Sequence, residues 1–313
     1  MTAPTPRRST VTSRLAAVGA IAVAGALVLT GCGDQTDKGT SASPSAGAPK
    51  APLFDKLPES VKSAGVIKVG SDIAYAPVEF VDGGKTVGMD PDLADALGKQ
   101  LGVKFEFNNG TFDTLLTGLR GKRYDVVMSA MSDTKNRQDG VDSATGKKVG
   151  EGVDFVDYFT AGSSIIVRKG NPEGIKSLAD LCGKNVAVQR GTTSQDLLKA
   201  QKCDKPMAIQ PFDTDADAQT RLKAGGVVAD VSDFPVAAYA VKTSGGGQNF
   251  ELAGEQVEAG PYGIAVSKSN TQLRDALQAA LDAIIKDGSY TKVMDKWGVG
   301  DGAVTEAKVN GGS

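Results

Sequence analysis

The chain has 313 residues, of which 40% are hydrophobic, with 35 basic and 37 acidic side chains. Arg7, Arg8 and Arg14 fall in an acid-free leader, so the rest of the chain stands near −5, and nucleic-acid binding has no electrostatic support. Histidine is absent, which excludes Ser-His-Asp and Cys-His catalysis and removes the commonest zinc ligand; no cofactor and no metal site is expected.

The leader carries its arginines first, runs apolar from Leu15 to Leu29 and closes on "LTGC", residues 29–32. A charged start, a short apolar stretch and small residues at its end read as a secretory signal over residues 1–31. "LTGC" resembles the lipobox of bacterial lipoproteins, which implies that Cys32 becomes the acylated first residue of an exported protein held at the outer face of the cell membrane. The alternatives are an ordinary signal peptide with a chance cysteine, and twin-arginine export through "RRSTV". Residues 32–55, rich in Gly, Ser, Ala, Pro and Thr, are expected to be a flexible tether.

From about Leu53 onward the chain is long enough for one large domain or two smaller lobes. "GVIKVGSD" (65–72) and "VKFEF" (103–107) read as strands. Between them "DPDLADALGKQLG" predicts a helix with Asp90 as N-cap, Pro91 at the first turn, Leu93, Leu97 and Leu101 on one face, and Gly102 at the stop. "TFDTLLTGLRG" and "YDVVMSA" repeat the helix–strand pattern. Between Arg137 and "DFVDYF" lies "QDGVDSATGKKVGEGV", expected to be a surface loop that could form a lip on a cleft.

A second set starts at "SSIIVRKG" (163–170). It continues through the strand "NVAVQ" (185–189), the helix "SQDLLKAQK", a helix after "DTDADAQTRLKAGG", the strand "VVADVS" and the helix "PVAAYAVK". "YGIAVSK" (262–268) is a late strand. "TQLRDALQAALDAIIKDG" is an amphipathic helix with Leu273, Leu277, Leu281 and Ile284 on one stripe, and "SYTKVMDKW" is a last short helix. Strands alternating with helices predict α/β architecture with a parallel sheet. Cys182 and Cys203 are expected to form a disulfide in an exported chain, against the alternative of two free thiols.

In open parallel sheets ligands bind beyond the carboxyl ends of strands. Asp72 and Tyr75 follow the first strand, Ser129, Ser132 and Arg137 follow "YDVVM", Gly191, Thr192 and Thr193 follow "NVAVQ", and Asp233 follows "VVADVS". A guanidinium grips a carboxylate by two parallel hydrogen bonds, the N–H groups of "GTTS" at a helix start suit an anion, and Asp233 suits an ammonium. Together these groups match a zwitterion.

The stretches "VGSDIAYAPVEF", "VGMDPDLADALGKQLGV", "FDTLLTGLRGKRYDVVMSAMSDTKNRQ", "DFVDYF", "VQRGTTS" and "DGSYTKVMDKWG" resemble, in this order, the family 3 extracellular solute-binding proteins, amino-acid-binding components of ABC importers. The resemblance implies the type 2 periplasmic binding protein fold: two α/β lobes on a two-strand hinge, closing on a ligand. On that frame, lobe 1 spans 56–164 and 257–300, lobe 2 spans 165–256, and 301–313 form a flexible tail.

The resemblance also assigns roles. Arg137, Ser132, Thr192 and Thr193 match groups on the ligand α-carboxylate, with Gly191 beside them. Asp233 matches the acid on the α-ammonium. Asp72, Tyr75, Phe112 and Ser129 match positions around the ligand side chain, and Ala130 contributes at most its backbone. The expected ligand is a polar or basic amino acid, since a carboxylate such as Asp72 disfavours an acidic side chain; glutamine or glutamate is the alternative. Glu79, just past a Pro-Val turn, is expected to face solvent. "GGVVADV" departs from the family in carrying Asp230 where an acid is usual at Val228. The protein is expected to be a monomer and not an enzyme, with an ABC permease as partner. The rival readings are an exported dehydratase of a cyclic aromatic amino-acid precursor on the same fold, or a sensor domain.

Overall fold

The computed structural model describes residues 50–313. The leader, Cys32 and most of the expected tether lie outside the described residues. The last residues of that tether belong to the folded body: the Leu53 N–H donates to the Gln100 carbonyl at 2.9 Å, and Leu53 and Phe54 pack on the core. Two large apolar side chains bury surface that the Gly/Ser/Pro stretch before them lacks.

Helix α1 (Glu59–Ala64) leads into strand β1 (Val66–Ser71). A small antiparallel sheet follows, β2 (Ala74–Tyr75), β3 (Glu79–Asp82) and β4 (Lys85–Val87), which the sequence reading did not resolve because each strand is shorter than a pattern can show. Helix α2 (Met89–Leu101), strand β5 (Lys104–Asn109), helix α3 (Leu115–Arg120), strand β6 (Val126–Val127) and helix α4 (Lys135–Asp139) complete this part. Strands β1 and β5 pair in parallel around α2, the expected βαβ unit. Helix α2 buries Leu93, Leu97 and Leu101 and stops at Gly102, φ 71°. Its start differs from expectation. Gly88 is the N-cap, because the Asp90 carboxylate turns inward to accept from the Tyr158 hydroxyl at 2.9 Å and the Ala130 N–H at 3.3 Å.

Strand β7 (Val153–Arg168) crosses to the second part: β8 (Asn185–Gln189), α5 (Thr193–Ala200), β9 (Ala208–Phe212), α6 (Asp215–Lys223), β10 (Ala229–Asp233) and α7 (Phe234–Thr243). Strand β11 (Phe250–Ser267) crosses back to α8 (Thr271–Lys286), α9 (Ser289–Trp297) and β12 (Ala303–Val309). Helix α8 buries Leu273, Leu277, Leu281 and Ile284 as its stripe predicts. Cys182 and Cys203 are joined in a disulfide.

The strands form one mixed sheet ordered β5-β1-β6-β11-β7-β10-β8-β9, with β12 also on β7. The expected parallel pairing holds on either side, but the crossing strands are antiparallel: β11 to β6, β11 to β7 and β10 to β7. The sense of the sheet therefore reverses across β7, so the carboxyl ends of β1 and β6 and those of β8 and β10 run toward one another. Asp233, last in β10, pairs with Ser163, while Ser132, just beyond β6, bridges to Tyr262. Register shifts at Ala253/Val257 and Val257/Gly260 mark where β11 bends between the two parts.

The tail expected to be flexible is ordered. Strand β12 pairs with β7, the Asn310 side chain accepts from the Phe155 N–H at 2.8 Å, and the Gly311 and Gly312 N–H groups donate to Asp157 and Asp133. Its polar residues satisfy carboxylates that the crossing region leaves buried.

Candidate functional site

The carboxyl ends of β1, β6, β8 and β10 bring most of the expected site residues to one junction. After β6 the chain stays pinned to β11, with the Asp133 N–H on the Pro261 carbonyl at 2.8 Å and the Gly263 N–H on the Met131 carbonyl at 2.9 Å. Thr134 then caps α4 by accepting from the Arg137 N–H at 3.3 Å. That short helix aims Arg137 across the junction. Its Nη1 donates to the Ser132 carbonyl at 2.7 Å and its Nη2 to the Gly191 carbonyl at 3.1 Å. Its guanidinium lies 5.5 Å from the centroid of the buried Phe112 ring, a cation–π distance. Burial lowers the Arg137 pKa to about 10, against the pull of Asp196, Asp233 and Asp133.

The opposite edge supplies Gly191, Thr192 and Thr193. The Thr192 side chain is committed to the helix: its hydroxyl accepts from the Gln195 N–H at 3.1 Å and donates to the Gln189 carbonyl at 2.8 Å, the N-cap role of a "GTTS" sequence. Thr193 Oγ1 instead reaches Ser132 Oγ at 3.2 Å. Gly191 has φ 75°, and a Cβ there would stand 2.7 Å from Asp113 Cβ, so the two edges meet closely at a residue without a side chain.

Asp72 is 3% exposed and accepts from Gln189 Nε2 across the junction. Burial raises its pKa to about 6 despite that hydrogen bond. Asp233 behaves alike: burial raises it to about 6, with the Tyr75 and Tyr262 hydroxyls and Arg137 pulling it down. The Tyr75 hydroxyl lies 3.2 Å from Ser232 Oγ and accepts from the Asp233 N–H at 3.3 Å.

Two expected residues support the site from behind. Ser129 is buried, accepting from the Asp72 N–H at 3.0 Å and donating to Glu79 Oε1 at 2.6 Å. It therefore orients Asp72 through that N–H. Ala130 has φ 45°, and its N–H goes to Asp90. Glu79, expected in solvent, is fully buried beside Asp90. The small sheet of β2, β3 and β4 folds it inward, where Ser129 satisfies one of its oxygens. Burial and the neighbouring Asp90 charge raise the Glu79 pKa well above its usual range, and burial carries Asp90 to about 7. Sequence reasoning missed Gln189, Asp215, Ser232 and Tyr262, although Gln189 and Ser232 share the signal that found the others, a polar side chain at the end of an apolar strand.

The "QDGVDSATGKKVGEGV" stretch is a hairpin rather than a loose loop. Val141 and Lys148 bridge, Asp142 holds the Thr145 N–H at 2.8 Å, and Arg120 Nε grips the Glu151 carbonyl at 2.7 Å. It walls a cavity of about 690 Å³ shared with Phe112, Arg137, Gly191 and Thr193. Among the described residues no group of three or more metal-type side chains is assembled, and no helix is long and apolar enough to cross a membrane.

The family model for bacterial extracellular solute-binding proteins, family 3, matches residues 67–300. The chain is 30% identical over 253 residues to the ABC transporter arginine-binding protein 1 of Escherichia coli K12, covering 79% of this chain and 96% of that one. A solved structure of an ancestral arginine-binding protein bound to arginine is 40% identical, with a TM-score of 0.67 over 74% of this chain and 98% of that one. The ancestral amino acid-binding protein AncCDT-1, a precursor of cyclohexadienyl dehydratase, is 36% identical with a TM-score of 0.66, over 76% and 97%. The matched span holds both parallel strand sets, the crossing strands and the junction between them. The chain belongs to the bacterial extracellular solute-binding proteins of family 3.

Proposed function

We propose that this protein captures a cationic α-amino acid between its two lobes and hands it to an ABC permease. The observation that carries the reading is the junction itself: one half-buried guanidinium, Arg137, and two carboxylates, the buried Asp72 and the half-buried Asp233, across two converging strand edges. Arg137 would take the α-carboxylate with the N–H groups of Thr192 and Thr193, the Gly191 N–H being held by Gln195 Oε1 at 3.1 Å, and Asp233 the α-ammonium. Asp72 then remains for the side chain. A ligand carrying positive charge offsets a carboxylate that burial otherwise penalises. The arginine-binding relatives support the same chemistry.

Lobe 1 would comprise residues 56–164 and 257–300, lobe 2 residues 165–256, with β7 and β11 as the hinge. Export and lipid anchoring through Cys32 complete the proposal, with the monomer diffusing on its tether outside the membrane. A thermal-shift screen of the twenty amino acids, ornithine and citrulline tests it, because a bound ligand raises stability by mass action. Arginine, lysine or ornithine should give the largest shift, and no shift with any amino acid overturns the reading. Dehydratase chemistry would use the raised Asp72 carboxyl as an acid. Recovery of the ligand unchanged after incubation excludes it.

A further inference from the structure

Asp215 opens α6 and Asp230 lies in mid-β10, and both are buried, at 1% and 0% exposure. Asp215 Oδ2 accepts from Gln219 Nε2 at 2.7 Å, while Asp215 Oδ1 and both Asp230 oxygens have no hydrogen-bond partner among the described residues. Two such carboxyl groups are costly in an interior unless they serve a charge.

Their neighbours place them. Arg137 acts on Asp233, and Asp215 is acted on by Asp233 and Asp72, with the Ser232 hydroxyl beside it. Gln189 Nε2 joins Asp72 to the Asp213 carbonyl, two residues before Asp215, and the Tyr75 hydroxyl meets both Ser232 Oγ and the Asp233 N–H, so Asp215 stands at the same strand ends as Asp72 and Asp233. Asp215 also lines a cavity of about 270 Å³ with Ala74, Ala76, Gln219 and Tyr239.

We propose that Asp215, backed by Asp230, is the residue that selects the ligand's side chain, pairing with the guanidinium or ammonium end of a long-chain cationic amino acid. The inference rests on the reading of the junction as an α-amino-acid site. An α-carboxylate on Arg137 and an α-ammonium on Asp233 direct the side chain toward Asp215 and Asp72. The groups facing Asp215 are Asp72 beyond β1, Tyr75 on β2, Asp230, Ser232 and Asp233 on β10, and Gln219 on α6. Burial raises Asp215 to about 7 and holds Asp230 well above the usual range, with the Asp215 charge adding to the latter. A cation brought to this pair offsets the burial that raises both carboxyl groups.

L-arginine and L-citrulline have nearly the same shape, and only arginine carries side-chain charge. Both are titrated calorimetrically into the intact chain and into Asp215→Asn. The wild type should favour arginine, and Asp215→Asn should weaken arginine about tenfold or more while citrulline moves by less than about threefold. An unchanged arginine-to-citrulline ratio in a folded Asp215→Asn overturns the proposal and leaves the amino-acid reading standing. A wild type that takes up no α-amino acid overturns the reading beneath it. Should Asp215→Asn not fold, the wild type decides. Its preference for arginine should fall several-fold between about pH 8 and about pH 5.5 as carboxylates facing the side chain take up protons, and a constant preference overturns the proposal.

Discussion

Arg137 is held by two backbone carbonyls rather than by a carboxylate, so it is positioned without its charge being neutralised in place. Replacing it by Ala should cost α-amino-acid affinity about a hundredfold, since a desolvated charge partner is worth roughly 2–5 kcal/mol. Near-wild-type affinity by calorimetry would remove it from the site. The Glu79–Asp90 pair makes a separate prediction about stability. Both folded pKa values lie above their ordinary ones, so the folded state binds more protons than the unfolded chain. The pair's contribution is complete below about pH 4 and declines as pH rises through about 7. Glu79→Gln keeps an acceptor for Ser129 and should be nearly neutral at pH 7, with a flatter pH dependence of the thermal midpoint. Glu79→Ala leaves the buried Ser129 hydroxyl short of its acceptor and should cost about 1–3 kcal/mol. Arg137 and Asp233 were legible in the sequence because each follows an apolar strand. Glu79 was not: a short hairpin decides its burial, and three strands of two to four residues carry no readable period.

Among the elements, the long amphipathic helices α2 and α8 were read closely because their apolar stripes recur over three or more turns. The C-terminal strand was misread because "GDGAVTEAKVNGGS" is glycine-rich and polar, and its partners are carboxylates on β7 that only the tertiary structure reveals. Asn310 ties the Phe155 N–H and Asp154 together, so Asn310→Ala should lower stability by about 1–2 kcal/mol without changing ligand affinity. An unaltered denaturation midpoint would count against the strand's role. The 138–153 hairpin reaches the opposite edge through Ser143 Oγ, which donates to Asp196 Oδ2. Ser143→Ala should speed ligand dissociation by a few-fold, the effect of one exposed hydrogen bond worth about 0.5–1.5 kcal/mol, and stopped-flow release rates read it directly.

At the scale of the molecule, the two strand sets meet across the cleft through Tyr75 with Ser232, Gln189 with Asp72, Ser132 with Thr193 and Arg190 with Asp113. Such contacts form a surface only when the lobes are together, which is what a permease could distinguish. Gly191 sits at a close approach to Asp113, so Gly191→Ala should weaken ligand capture by opposing closure, while the positive φ adds about 1 kcal/mol of strain to the folded state. The two-lobed α/β character was legible from alternating strands and helices. The reversal of the sheet across β7 was not, because strand direction is set by pairing partners 62 to 140 residues apart. The proposed capture of a cationic amino acid takes place at that reversal. Calorimetric titration of the intact protein with L-arginine and L-glutamate near pH 8 tests it most directly: saturable one-to-one binding of arginine, with glutamate at least about a hundredfold weaker, is the expected result. Absence of arginine binding, or tighter binding of glutamate, contradicts it.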